Sequence, residues 1–402
     1  MRSRNMTETA QSAYLLEYGR RRIRICADTF RNLAQIFEEG DENGREDPKR
    51  ERAALLLKKR MEENRHLLAG NLKEMADIMN GVADESVRFI RLGGRRQKQL
   101  IRGLQGEGIT AGEVYLLQRG NGRMELSVLL SSRTGNSRTV EEAADYLSVL
   151  LDMRLVSSRR NPFFIGENPL CYFFEEEPDY LYMTGSACAV KETESVSGDN
   201  FAFFEAGDGN LTVALSDGMG SGEEACQDSE AVTDMAESML QAGLTPEMTI
   251  QLLNGSAAGG GTRDRLPTLD LCSIDLYEGR CLFLKMGAAV SYVRHGSVVE
   301  RISSGALPLG AFGQAQAERA RREVSDGDYI ILVSDGVTEG WRTGDGEERV
   351  RRMLAETDAA SPSDLAGRVL RYAIEQQEGR IRDDMTVLVV GIWERDQAKE
   401  TA

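Results

Sequence analysis

The chain has 402 residues, enough for two or three domains, and its 41% hydrophobic content suffices for ordinary cores. A net charge of −16 argues against a generic binder of nucleic acid or anionic membrane. Two histidines, His66 and His295, exclude a His-rich metal site, and no run of about eighteen apolar residues or signal peptide is present.

The first stretch, 1 to about 14, is polar and reads as disordered. A helix is expected over 14–39, where Ile25, Phe30, Leu33 and Ile36 recur at helical spacing, and the run 40–48 breaks it. A second long helix is expected over 49–80. Its stripe of Met61, Leu68, Leu72, Met75 and Met79 suits packing within the chain or pairing with a second copy. Residues 1–84 thus read as a helical linker or regulatory segment.

A small α/β module is expected over 85–178. It comprises a helix over 85–103, a hairpin of strands 113–118 and 123–131, a helix over 140–153 capped by Thr139, and a short strand over 170–174. No catalytic constellation falls in it, so a regulatory or docking role is the default. The basic clusters Arg20 to Arg24, Arg91 to Lys98 and Arg319 to Arg322 read as solvated helix faces. The six cysteines form no Cys-x-x-Cys and read as reduced core residues of a cytosolic protein.

From 179 to 396 the pattern is strand-rich, and 397–402 is a tail. Strands are expected over 180–191, 201–206 and 211–215, helices over 223–242 and 246–255, then strands over 268–276, 281–285, 290–294 and 298–302. A strand follows over 329–334, then helices over 347–356 and 362–377, and a last strand over 385–390. Thr245 is a candidate cap with proline after it. Residues 257–262 read as a flexible link. This order suggests an α+β fold, an antiparallel sandwich flanked by helix pairs.

The candidate chemistry sits at strand ends. The apolar run Leu211 to Leu215 leads into Ser216-Asp217-Gly218-Met219-Gly220-Ser221-Gly222, and Tyr329 to Val333 leads into Ser334-Asp335-Gly336. Asp383-Asp384 precedes the strand from Met385, and Asp199 precedes the strand from Phe201. One acid at a strand end is ordinary turn chemistry; four such sites point to divalent metal held by hard oxygen ligands. A dinucleotide loop is the weaker reading of Gly218-x-Gly220-x-Gly222, because Glu223 stands where a further glycine or alanine is needed.

Ser-Gly-Asp-Asn, Ser-Asp-Gly-Met-Gly-Ser-Gly, Ser-Asp-Gly-Val-Thr-Glu and Asp-Asp-Met-Thr resemble, in order, the motifs of the metal-dependent PPM (PP2C-type) serine/threonine phosphatases. The match is nearest to the cytosolic part of the stage II sporulation protein E branch and spans about 180–393. The resemblance implies an α-β-β-α sandwich and two divalent ions, Mn²⁺ or Mg²⁺. It implies that Asp217 bridges both ions with the Gly218 carbonyl on one, that Asp199 is a direct or water-mediated ligand, and that Asp335 and Asp383 hold the other ion. Asp384, where the family commonly has Asn, could share or exchange that role. Asp217 and Asp335 are the candidate catalytic acids, and attack by a metal-activated water replaces a nucleophilic Ser or Cys.

Met219 stands where eukaryotic members carry a histidine proposed as general acid. The resemblance also implies a phosphoserine protein as substrate, an anti-sigma-factor antagonist whose dephosphorylation releases a sporulation sigma factor. It leaves room for a homodimer through the N-terminal helices. That branch usually carries a membrane region ahead of its cytosolic part, so membrane attachment is expected only through a segment outside this chain. The alternative is a catalytically weak PPM-fold scaffold acting through its N-terminal helices.

Overall fold

A computed structural model describes residues 88–395, apart from 91, 119–121, 133–137, 159–160, 207–208, 242–243, 260–265, 312–315, 340 and 342–343. The helices expected over 14–39 and 49–80, with the Met61 to Met79 stripe, lie outside the described residues. Two compact units divide at Pro178 and Asp179.

The first unit is one antiparallel sheet with two helices. Its elements are β1 (Arg88–Ile90), α1 (Gly94–Gly106), β2 (Ile109–Gln118), β3 (Met124–Ser132), α2 (Val140–Leu151), β4 (Leu155–Ser157) and β5 (Leu170–Glu176). The strand order is β1-β2-β3-β5-β4. Leu100 and Leu104 of α1 and Ala143, Ala144 and Leu147 of α2 pack on Leu126, Val128, Leu130, Tyr172 and Phe174. Thr139 caps α2: its hydroxyl accepts from the Glu142 N–H and its own N–H donates to the Glu142 carboxylate.

The single helix expected over 85–103 is corrected. Arg88 to Ile90 is an edge strand on β2, and the helix begins only after Gly93, a residue that favours breaks and caps.

The second unit is a sandwich of two five-stranded antiparallel sheets. One has the order β13-β10-β9-β8-β7 and the other β12-β11-β14-β15-β6. In chain order they are β6 (Tyr180–Ala189), β7 (Asp199–Glu205), β8 (Asn210–Asp217), β9 (Leu269–Asp275), β10 (Arg280–Met286), β11 (Ser291–His295), β12 (Val298–Ile302), β13 (Glu318–Glu323), β14 (Asp328–Val333) and β15 (Met385–Glu394). Between the sheets lie Val213, Leu215, Cys272, Ile274 and Phe283 from one and Val293, Ile330, Leu332, Leu388 and Val390 from the other.

The outer face of the first sheet is covered by α3 (Glu223–Gln241) and α4 (Pro246–Gly259), through Ala236, Met239, Ile250 and Leu253. The other sheet carries α5 (Asp335–Thr338), α6 (Gly346–Glu356) and α7 (Pro362–Gln376), through Val350, Leu354, Leu365 and Val369. These are the four layers expected of an α-β-β-α sandwich. Strands such as β8 and β15 read as unbroken apolar runs because both faces are buried.

Two expectations need correction here. Arg319 to Arg322 lie on β13, an edge strand paired with β10, not on a helix; its polar side chains leave no apolar alternation to detect. Residues 257–259, expected as flexible link, belong to the end of α4. Among the described residues the cysteines are free thiols, but the core placement expected of them holds only for Cys272 and Cys281; Cys171 and Cys226 are half-buried and Cys188 is exposed. No helix among the described residues is long and apolar enough to cross a membrane.

Candidate metal centre

Asp199 and Asp217 are the terminal pair of an antiparallel hairpin: Asp199 opens β7, Asp217 closes β8, and they face each other in register. The end of β8 is fastened to the start of β9. The Ser216 hydroxyl donates to the Thr268 carbonyl at 2.7 Å, and the Asp217 N–H donates to the Thr268 hydroxyl at 3.1 Å. Gly218 follows because nothing larger fits; a Cβ there would stand 2.0 Å from the Ala225 carbonyl oxygen at the start of α3. The close approach of α3 to the strand end therefore explains this Asp-Gly pair.

The second Ser-Asp-Gly is built likewise on the other sheet. Ser334 is tied to β15 by two bonds, its N–H to the Thr386 carbonyl at 3.0 Å and the Thr386 N–H to its hydroxyl at 2.9 Å. A Cβ on Gly336 would stand 2.1 Å from the Asp384 carbonyl oxygen. Asp335 is thereby held against the Asp383-Asp384 turn.

Asp217, Asp335, Asp383 and Asp384 line one cleft of about 200 Å³, with Gly218 and Met219 on its wall. The Met219 side chain is 55% exposed there, so the wall offers a thioether where a proton donor could have stood. Asp199 is buried beside its hairpin partner, and neither of its carboxylate oxygens has a hydrogen-bond partner. The Ser334 and Thr386 hydroxyls lie near enough to ease its charge without bonding to it.

Burial and mutual repulsion act on three of these carboxylates. Burial, then the charges of Asp199, Asp335, Asp383 and Asp384, push Asp217 up to about 8. Burial pushes Asp199 up to about 6, with Asp384 and Asp335 adding to it against the two hydroxyls. Asp335 is also at about 6, through burial and then the charges of Glu339 and Asp383. A buried carboxylate without a donor, surrounded by like charges, fits hard divalent ions such as Mn²⁺ or Mg²⁺. As the side chains stand, no three acidic, His or Cys groups among the described residues converge closely enough to enclose an ion.

Asp383 and Asp384 have different surroundings. Asp384 is buried and bonded twice: Oδ1 accepts from the Lys191 N–H at 2.9 Å and Oδ2 from the Gly198 N–H at 2.7 Å. Asp383 is exposed, with Lys191 Nζ at 3.5 Å.

Residues 207–393 match the family model of stage II sporulation protein E (SpoIIE). This stretch is thus similar to the SpoIIE family. Over 345 residues the chain is 29% identical to stage II sporulation protein E of Bacillus subtilis, covering 85% of this chain and 41% of that one. It is 20% identical over 202 residues to the phosphoserine phosphatase RsbU of Bacillus subtilis, covering 49% of this chain and 60% of that one. The chain thus spans about two fifths to three fifths of these relatives' lengths.

A solved structure of the PP2C phosphatase domain and a fragment of the regulatory domain of Bacillus subtilis SpoIIE matches with a TM-score of 0.61 and 25% identity, covering 86% of this chain and 97% of that one. The PP2C-like resemblance carried by the four motifs is therefore supported by family model, relatives and fold together.

Sequence reasoning missed several polar neighbours of this acidic site. Thr268 fastens Asp217, Glu339 raises Asp335, and Lys191 stands beside Asp383. It also missed Asp270 and Lys285, lone charges in otherwise apolar strands that meet in register. That isolation was the available signal, since an unpaired charge is not stable in a core.

Proposed function

We propose that residues 179–396 are a metal-dependent protein serine/threonine phosphatase that hydrolyses phosphoserine on a small regulatory protein of the anti-sigma-factor antagonist type, and so controls a sporulation sigma factor. The observation that carries this reading is that Asp217 from one sheet and Asp335 and Asp383 from the other line one cleft, with Asp199 paired in register with Asp217 and buried without a donor. When bound, two divalent ions would supply charge neutralisation for the phosphate and lower the pKa of a water.

Asp199, Asp217, the Gly218 carbonyl, Asp335 and Asp383 are the residues that would hold them. Asp384 orients its surroundings instead, fixing the Lys191 and Gly198 backbone through its two oxygens. Lys191 Nζ lies at the rim, where it can exchange Asp383 for a substrate phosphate oxygen. Met219 cannot protonate the leaving serine oxygen, so that proton comes from solvent within the cleft. Residues 1–84 and 85–178 act as regulatory segments, and a homodimer through the first of them fits the Met61 to Met79 stripe.

The exposed Met219, which has no proton to give, favours one second reading, a catalytically weak PPM-fold scaffold acting through its N-terminal helices. One assay separates the two. Phosphate release from a phosphoserine protein should require Mn²⁺ or Mg²⁺, stop in chelator, and fall to background in Asp217→Asn and Asp335→Asn. Full turnover in chelator, or none under any metal, would overturn the proposal.

A further inference from the structure

Below the acidic cleft the interior of the sandwich holds a second charged cluster. Asp270 on β9 and Lys285 on β10 face each other in register, and each side chain is 1% exposed. Lys285 Nζ donates to Asp270 Oδ2 and, at 2.7 Å, to the Ser291 hydroxyl, which itself donates to Asp270 Oδ2. Ser291 opens β11 and so belongs to the opposite sheet. The three side chains form a polar tie between two otherwise apolar inner faces.

The position of this tie gives it meaning. Asp270 pairs with Leu215, two residues before Asp217, and lies two residues after Thr268, which fastens the Asp217 backbone. Asp270 Oδ1 is buried and has no hydrogen-bond partner. Asp270 lines a small cavity of about 20 Å³ whose wall also includes Asp217, Ser334 and Asp335. That volume admits a single water.

We propose that Asp270, Lys285 and Ser291 are positioning residues for the candidate metal centre: a buried ionic strut that fixes the separation of the two sheets, and with it the distance from Asp199 and Asp217 to Asp335 and Asp383. This inference rests on the metal reading of the cleft. Apolar packing between two sheets resists separation but tolerates sliding, whereas short directional bonds allow one register. A buried ion pair is in general no more stabilising than apolar residues of the same volume, so stability alone does not account for one here. A metal site does, because ligand atoms must be held to within a few tenths of an ångström.

The test compares the 402-residue chain with Ser291→Ala and with the triple variant Asp270→Leu/Lys285→Met/Ser291→Ala, which replaces the strut by apolar groups. Mn²⁺ binding is measured by calorimetry, and thermal unfolding is followed in chelator. The triple variant should unfold cooperatively near the wild-type temperature yet bind Mn²⁺ about tenfold more weakly or worse, as loss of groups that orient ligands does. Ser291→Ala should shift the affinity in the same direction with its unfolding in chelator unchanged.

Wild-type affinity in a folded triple variant would overturn the proposal and leave a structural pair. Should that variant fail to fold, unchanged affinity in Ser291→Ala overturns it equally. A wild-type protein that binds no Mn²⁺ while remaining folded would defeat the metal reading itself, a different result.

Discussion

Asp217→Asn should stabilise the metal-free protein at pH 8 while removing its response to metal. Asp217 sits at about 8 in the folded state, through burial and then the charges of Asp199, Asp335, Asp383 and Asp384, against about 3.9 in an unfolded chain. A shift of about 4 units at about 1.4 kcal/mol each gives up to about 6 kcal/mol of penalty for keeping this group charged. Water at the half-buried cleft wall screens part of it, leaving about 3 kcal/mol.

The folded protein holds this proton more tightly than the unfolded chain. The contribution of Asp217 to metal-free stability is therefore least unfavourable in acid, worsens as pH climbs from about 4, and levels off above about 8. Asp199 and Asp335, each at about 6, contribute a further loss between about 4 and 6.

Melting curves in chelator from pH 5 to 8.5 should show wild type losing stability and Asp217→Asn losing much less. The two should nearly coincide at pH 5 and differ by roughly 6–12 °C at pH 8 in a domain of this size. Saturating Mn²⁺ should reverse the order, since only wild type gains binding free energy. A variant less stable than wild type in chelator at pH 8, or one equally stabilised by Mn²⁺, would refute this account.

Asp383→Asn and Asp384→Asn should separate. The first should lose Mn²⁺ affinity in calorimetry with its melting in chelator unchanged or raised. The second should lose about 1–3 kcal/mol in denaturant unfolding with chelator present, because an amide cannot accept from both the Lys191 and Gly198 N–H groups. Lys191→Met should raise KM for a phosphoserine protein severalfold while leaving Mn²⁺ affinity equal or tighter, since it removes a cation from beside Asp383; an unchanged KM would remove Lys191 from the phosphate site. Deleting residues 1–178 should change sedimentation or turnover without abolishing Mn²⁺ binding, and identical values for both would make that region a tether.

Much of the sandwich was legible because its central strands are buried on both faces. Leu211 to Leu215 and Met385 to Val390 announce themselves as apolar runs, and the acids that end them stand out by contrast. β13 was not legible: Glu318 to Glu323 is an edge strand whose place is set by backbone pairing with β10, and its side chains carry no periodic pattern. The strand at Arg88 to Ile90 failed for a related reason, being three residues paired with β2 at the sheet edge, too short for a periodic pattern. Within the site, residue type and strand-end placement pointed to Asp199, Asp217 and Asp335. They could not separate Asp383 from its neighbour, because what distinguishes Asp384 is a pair of backbone N–H groups nearly two hundred positions earlier in the chain.

The register of the β7–β8 hairpin has a consequence for how such a chain can diverge. Asp199 and Asp217 are joined by the same ladder that places Phe204 opposite Thr212 and Phe201 opposite Leu215. Inserting or deleting one residue within either strand would turn one carboxylate away from the other and send the apolar side chains beyond it to the opposite face. Exchange of one aliphatic residue for another leaves the pairing intact. Strand length here should therefore drift far more slowly than strand composition, with insertions and deletions confined to positions outside 199–205 and 210–217.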